Sequence, residues 1–265
     1  TDNTWTRQAF IKASNTTAGD GFGTAVAISE DGNTLAVGAP FEDSGTTSQA
    51  NNGTPDAGAV YIYTRTGTVW SQQAYIKASD PGMDDHFGNT VALSADGDTL
   101  VVGAPLEDGA GTGTTGDPTD NGATDAGAAY VYTRSNGVWT QQAYIKAANT
   151  EAGDEFGHAV ALSSDGTSLA VGAILEDSAA TGIDGNASDN TAANAGAVYV
   201  YSGSGSAWAQ QAYLKASNAE ANDGFGYALS FSADGDTLVV GAPFEDGAIA
   251  TSASGAVYVF ARASA

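Results

Sequence analysis

Twelve carboxylates recur at fixed places in this chain. Asp20, Asp85, Asp154 and Asp223 each stand two residues before a Phe-Gly pair. Glu42-Asp43, Glu107-Asp108, Glu176-Asp177 and Glu245-Asp246 each follow a Gly-Ala-Pro or Gly-Ala-Ile triplet. Acids in this pattern could do two kinds of chemistry. Carboxylate and carbonyl oxygens surround calcium at flexible geometry. A pair of acids, one a proton donor and one a nucleophile or base, cleaves a glycosidic bond. The second chemistry needs one distinct, environment-tuned pair, and four near-identical pairs make none special. No catalytic residue is therefore expected, and the twelve acids are candidate calcium ligands. The plainer alternative is that each Asp caps a turn while each Glu-Asp pair bonds loop amides.

Other reactive patterns are weaker. His86 and His158 are the only histidines and sit at non-equivalent places, which argues against a zinc site or a catalytic triad. Gly111 to Gly116 fits G-x-G-x-x-G, but in a long loop with no helix after it, so the match is accidental. Trp5, Trp70, Trp139 and Trp208 invite a sugar-binding reading. Their place at the head of an alternating segment makes packing between structural units the better one.

The elements that position the acids come from a fourfold repeat. The four Trp mark its period, and Phe22-Gly23, Phe87-Gly88, Phe156-Gly157 and Phe225-Gly226 keep step with them. In the second repeat, Trp70 to Ala78 alternates in polarity, as a strand does. Phe87 to Ser94, Leu100 to Pro105 and Gly127 to Tyr132 are three more short apolar runs. Asp96-Gly97 between the second and third run is a hairpin signal, because Gly supplies the positive φ of a tight turn. Four antiparallel strands per period make the blade of a β-propeller, and blades bury their faces only by stacking.

The expected fold is therefore all-β: one domain over 1–265, with four blades of four antiparallel strands at about 5–69, 70–138, 139–207 and 208–265. The chain begins with a lone Trp strand, and its last repeat lacks one. Residues 1–14 are thus expected to complete the last blade and close the ring. Half of an eight-bladed dimer, or a segment of a longer propeller, would use the same pattern.

Segment lengths separate frame from variable part. The step from Trp to Phe is identical in all four repeats, as from Trp5 to Phe22 and from Trp70 to Phe87. So is the step from that Phe to the triplet glycine, Gly38, Gly103, Gly172 or Gly241. The next loop is different. It runs from Glu42 to Gly58, Glu107 to Gly127, Glu176 to Gly196 and Glu245 to Gly255, longest in the second and third repeats and shortest in the fourth. A rigid frame with one variable loop is the usual form of a binding surface. Three acids per blade are expected on the rim that carries this loop, with Asp56, Asp117, Asp120, Asp125, Asp184 and Asp189 added by the loops.

Composition narrows the partners. The net charge is −23, with only eight Lys and Arg in 265 residues. Nucleic acid is excluded, since phosphate binding needs basic residues. Lys12, Lys77, Lys146 and Lys215 hold one repeat position, so they belong to the scaffold, each against an aromatic or a carboxylate. There is no cysteine and no apolar run long enough to cross a bilayer, so neither disulfides nor membrane insertion is expected.

FGNTVALS, LVVGAP and GAAYVY, with their counterparts in each repeat, resemble FG-GAP repeats, the blade motif also found in the integrin alpha-subunit propeller. The likeness covers essentially the whole chain and is nearest to the bacterial form with QQAYIKAS before each FG. The resemblance implies a secreted or surface protein that recognises a cell-surface protein or glycan, often with calcium. In the integrin type, calcium sits in a D-x-D-x-D-G loop between strands one and two. Here that loop is short, as in Ser94-Ala95-Asp96-Gly97-Asp98-Thr99, so that site is not expected. A non-catalytic adhesion propeller, monomer or homodimer, is the functional expectation, and a structural spacer is the alternative.

Overall fold

The computed structural model describes residues 4–246 and 253–263, which form fifteen strands and no helix. Every sheet is an antiparallel meander in which sequence neighbours are hydrogen-bonded neighbours. The first holds β1 (Ala25–Ile28), β2 (Thr34–Ala39), β3 (Ala59–Thr66) and β4 (Val69–Ile76). The second holds β5 (Thr90–Leu93), β6 (Thr99–Ala104), β7 (Ala128–Ser135) and β8 (Val138–Ile145). The third holds β9 (Phe156–Leu162), β10 (Ser168–Ala173), β11 (Ala197–Ser204) and β12 (Ala207–Leu214). The fourth has three strands, β13 (Ala228–Phe231), β14 (Thr237–Ala242) and β15 (Ala256–Ala261). The architecture is propeller-like, with the expected strands present in the first three sheets and one strand fewer in the fourth.

Local chemistry explains the first hairpin of each sheet. Ser94 Oγ donates to Asp96 Oδ1 at 2.5 Å, the same oxygen accepts Asp98 N–H at 2.9 Å, and Gly97 adopts φ 71°. Asp31, Asp165 and Asp234 repeat the arrangement. The short Asp side chain thus builds the turn that the strands need.

Each sheet has two unlike apolar faces. One carries the β3-type Val and Ile, such as Val60 and Ile62. The other carries Tyr and the FG phenylalanine. The Val face of one sheet packs on the Tyr face of the next. Val60, Ile62 and Ile76 meet Phe87, Val102, Tyr130 and Tyr132 in one core cluster. Phe87 stands edge-on to Tyr130 and Tyr132, with centroids 5.3 and 6.1 Å apart. Equivalent clusters join the second sheet to the third and the third to the fourth.

Backbone contact sets the spacing between sheets. Phe87, Phe156 and Phe225 donate N–H to the carbonyls of Ala57, Ala126 and Ala195 at 3.2, 3.0 and 3.0 Å. A Cβ on Gly38, Gly103 or Gly172 would come 2.0, 2.0 or 2.2 Å from the carbonyl oxygen of Gly88, Gly157 or Gly226. Glycine in the triplet therefore lets two backbones touch.

Residues 4–13 form no strand and do not pair with β15, so the ring closure expected at this point is not formed. The segment lies on the Tyr face of the first sheet instead. Gln8 Oε1 accepts from Trp70 Nε1 and from Arg65 Nη1, both at 3.2 Å. Tyr63 OH donates to the Lys12 carbonyl at 3.1 Å, and Ile11 and Ala13 join the cluster around Tyr61. Packing runs from the first sheet to the second, third and fourth in series.

Gly103→Ala and Gly172→Ala should each destabilise the fold by about 1–3 kcal/mol, the usual cost of overpacking a tight contact. The measurement is the urea midpoint of unfolding. A midpoint unchanged from the parent would show that the sheets do not touch here.

Candidate functional site

The loop that enters each sheet and the long loop between its second and third strands share one rim. Phe41, Leu175 and Phe244 donate N–H to the carbonyls of Asp20, Asp154 and Asp223 at 3.3 Å. The long loop also reaches the next sheet. Asp84, Gly153 and Asn222 donate to the carbonyls of Pro55, Thr124 and Ala193 at 3.0, 2.9 and 2.8 Å. The twelve acids come together on this rim as expected, three to a sheet. Eight of them are not surface groups, however. All four Asp of the first set and all four Glu are buried.

Eleven of the twelve carboxylates have hydrogen-bond or ion-pair partners within the protein. Asp20, Asp85, Asp154 and Asp223 accept the N–H of Thr17, Gly82, Glu151 and Glu220 at 2.8, 2.6, 3.2 and 2.9 Å, three residues upstream in each case. Asp43, Asp108 and Asp177 accept the N–H of Asp56, Asp125 and Asn194 across the base of the long loop, at 3.1, 2.9 and 2.7 Å. Asp246 is half-buried beside Glu245. Among the described residues no three His, Cys, Asp or Glu side chains form a metal-holding group.

The glutamates anchor buried ion pairs. Lys77, Lys146 and Lys215 reach Glu42, Glu107 and Glu176 at 3.2, 2.7 and 2.8 Å, with both side chains sealed from solvent. Glu107 also takes Gly109 N–H at 3.0 Å and Tyr144 OH at 2.8 Å. Glu176 does the same with Ser178 N–H at 3.1 Å and Tyr213 OH at 2.8 Å. Lys12, the fourth member of the set, is exposed. Burial pulls the pKa of the three sealed ammonium groups below the usual lysine value, and the neighbouring Glu opposes that pull. Such pairs contribute little net stability, but losing one partner strands a buried charge.

Burial acts in the opposite sense on the rim Asp. It pushes Asp85 and Asp154 up to about 7, aided by the charges of Glu107 and Glu176 and opposed by the backbone donors. Asp20 and Asp223 move in the same direction.

Two sets of partners are not anticipated by the sequence reading. Asn15, Asn149 and Asn218 accept the hydroxyls of Tyr61, Tyr199 and Tyr258 at 2.5, 2.6 and 2.7 Å. Their amides donate to Glu42, Glu176 and Glu245 at 2.9, 3.2 and 2.6 Å. The recurrence of Asn at one offset after Trp5, Trp139 and Trp208 is the available signal. In the second repeat the position is Asp80, and there the Tyr130 hydroxyl is buried with no partner. The other set is Arg65 and Arg134, which lie over the rings of Trp70 and Trp139 at 5.5 and 5.3 Å. The packing role expected for these two Trp is what the structure shows.

The long loops are clamped at constant points. Gly58, Gly127, Gly196 and Gly255 donate N–H back to the carbonyls of Glu42, Glu107, Glu176 and Glu245 at 2.9, 2.8, 2.9 and 3.0 Å. The two longest are pinned again, where Gly113 and Gly182 exchange backbone bonds with the ends of β8 and β12. Beyond these clamps the tips are polar and mostly exposed, as at Asp117, Thr119, Asp120 and Asn121.

The FG-GAP repeat profile matches the sequence over residues 5–63, 70–132, 139–201 and 208–260. No curated protein matches it in sequence. Among solved structures, a protein from Bacteroides uniformis provisionally described as a 6-phosphogluconolactonase is similar at 10% identity and TM-score 0.47, over 90% of this chain and 54% of that one. Saccharomyces cerevisiae Sqt1 is similar at 9% identity and TM-score 0.43, over 84% of this chain and 43% of that one. The chain thus spans about half the length of each.

Two outcomes follow from the buried polar groups. Asp80→Asn should stabilise the protein by about 1 kcal/mol, since an amide can donate to the Glu carboxylate as Asn15, Asn149 and Asn218 do while its oxygen faces Tyr130 OH, and since it removes a negative charge near Asp85. Thermal melting reads it, and a lower melting temperature would break the analogy with Asn15, Asn149 and Asn218. The second outcome concerns pH. Asp85 and Asp154 keep their protons to about 7 when folded, against an ordinary value of 3.8. Between those limits the unfolded chain binds fewer protons than the folded one, so stability falls as pH rises. An Asp85→Asn/Asp154→Asn variant should lose less stability than the parent between pH 4.5 and 8. Parallel curves would show that neither Asp titrates in that window.

Proposed function

Because this chain belongs to the FG-GAP repeat family, we propose that it is a non-catalytic recognition module that binds a cell-surface protein or glycan through the rim carrying the long loops. One observation carries the reading: the loops Glu42–Gly58, Glu107–Gly127, Glu176–Gly196 and Glu245–Gly255 differ in length on an otherwise constant frame. The first three lie along one rim and are linked from sheet to sheet by backbone bonds. The absence of catalysis is supported by the acids with the most shifted titration. They are buried and held by backbone donors.

The family's common setting supports a secreted or cell-surface location. Calcium belongs to the proposal as an ion that orders the loops through exposed loop carboxylates such as Asp117 and Asp120. The disc is completed when a copy of residues 5–13 adds a fourth strand to β15. A spacer within a larger surface protein is the second reading, favoured by the close similarity of the four repeats.

Excising residues 115–121 should abolish capture on a glycan array or a panel of immobilised extracellular proteins, with the melting temperature within a few degrees of the parent. A parent that binds nothing on either surface supports the spacer. An excised variant that binds normally removes the rim from the account. The metal part predicts a melting temperature that rises across millimolar calcium, as for any ligand of the folded state alone. A flat curve removes the ion.

A further inference from the structure

The two ends of the series of sheets carry the two halves of one interface. Val257 and Val259 on the fourth sheet are 68% and 66% exposed. Their equivalents Val60 and Ile62, and Ala129 and Val131, are fully buried by the following sheet. On the first sheet Val26 and Ile28 are 65% and 58% exposed, whereas Val91 and Val160, the equivalents of Val26, are buried against the preceding sheet. The glycine contact is split in the same way. Gly241 has nothing nearer its Cβ position than 3.5 Å, and Gly23 has nothing within 4 Å.

A cavity of about 350 Å³ lies between the third and fourth sheets, lined by Val200, Gln211, Leu214, Phe231, Phe260 and Arg262. Two of its polar residues, Gln211 and Arg262, identify its occupant. Gln211 and Arg262 are the counterparts of Gln73 and Arg134. Between the first and second sheets Gln73 Oε1 accepts the Trp139 indole N–H at 3.1 Å and Arg134 covers the ring at 5.3 Å. Gln8 and Arg65 treat Trp70 alike. The missing indole belongs to the strand that would follow β15. Among the described residues the one segment with that sequence left unpaired is 5–13, where Trp5 is fully exposed.

We propose that copies of this chain associate head to tail, with residues 5–11 of one copy pairing antiparallel to β15 of another and Trp5 filling the Gln211–Arg262 cavity. The register follows from β3 and β4, where Val60 faces Ile76, Ile62 faces Ala74 and Thr64 faces Ser71. Val257 therefore faces Ile11, Val259 faces Ala9 and Ala261 faces Thr6. A second copy fits better than the chain's own fourth sheet. Gln8, Lys12 and Asn15 already hold the segment on its own first sheet, in the place that β4 holds on the second. A second copy docks there with neither partner rearranged. Closing one chain on itself would instead require residues 5–13 and β15, which are not paired within one chain, to be brought together. The interface is heterologous, so it generates a ring or an extended array rather than a face-to-face pair. Like charge on the copies opposes it, and salt relieves that repulsion.

The chain has no cysteine, so engineered thiols give an unambiguous test. Thr6→Cys and Ala261→Cys, both exposed, are made separately and together and oxidised in concentrated salt. The mixed single variants should give a covalent pair of chains on a denaturing gel, in excess of either variant alone. Trp5→Ala or Gly241→Ala added to the partners should cut that yield at least tenfold without lowering the melting temperature of the separate chains. Sedimentation of the parent should show a mass above one chain that rises with salt. A double variant linked only within one chain, at single-chain mass, would overturn the proposal in favour of self-closure. No cross-link in either arrangement would overturn it too.

Discussion

Every sheet of this protein needs a neighbour on each side, and the need is geometric before it is hydrophobic. A Val face and a Tyr face cannot both be buried within one four-stranded sheet, so burial has to come from stacking. Stacking at this distance is allowed only because Gly38, Gly103 and Gly172 carry no side chain where the next backbone arrives. From that contact follow the repeat length, the invariance of the Trp-to-Phe and Phe-to-Gly segments and the placement of FG beside GAP. A residue inserted in those segments would move one glycine away from its carbonyl. The long loop lies outside the contact, and it is the segment that varies.

The acidic residues answer to the same frame. Asp serves two rims with opposite consequences. On the hairpin rim, Asp31, Asp165 and Asp234 are exposed, take Ser hydroxyl and backbone donors, and are held below the ordinary carboxylate value. On the other rim, Asp85 and Asp154 take one backbone donor each and are buried, and desolvation wins. The burial of Glu42, Glu107 and Glu176 brings Lys77, Lys146 and Lys215 with them. Three of the eight basic residues in a chain of net charge −23 thus lie inside, where each neutralises a charge that nothing else could.

The strands, their order and the shared rim are legible in the sequence because each depends on local pattern: alternation, Asp-Gly turns and constant spacing. The role of the Lys position is legible in outline, since recurrence without variation marks scaffold. What the pattern does not disclose is burial. Glu42 and Asp85 read as loop acids free to meet an ion, and only packing shows that each already has its donors. Residues 4–13 escape the sequence reading for a related reason. Their sequence says that they are an outer strand, but not which sheet they lie beside. Contacts of Gln8 and Lys12 with the following sheet decide that. The Asn–Tyr partners are hidden in the same way. Asn15 and Tyr61 lie too far apart in the chain for any local pattern to link them.

The clamp at the base of the long loops explains how one segment varies while the rest is fixed. Each loop ends on a glycine N–H that returns to the Glu carbonyl where it began, and the geometry of that bond does not depend on what lies between. Loop-closure entropy grows only logarithmically, so each doubling of loop length costs about 0.6 kcal/mol. In the first three loops the buried Glu that holds the clamp is the same residue that takes the Lys, so the loop base is rigid even where its tip is long. Sequence change in the tip is therefore nearly without consequence for folding. Change in the Glu, the closing Gly or the Lys is not. A surface built this way can alter its chemistry from blade to blade while every sheet keeps its distance from the next.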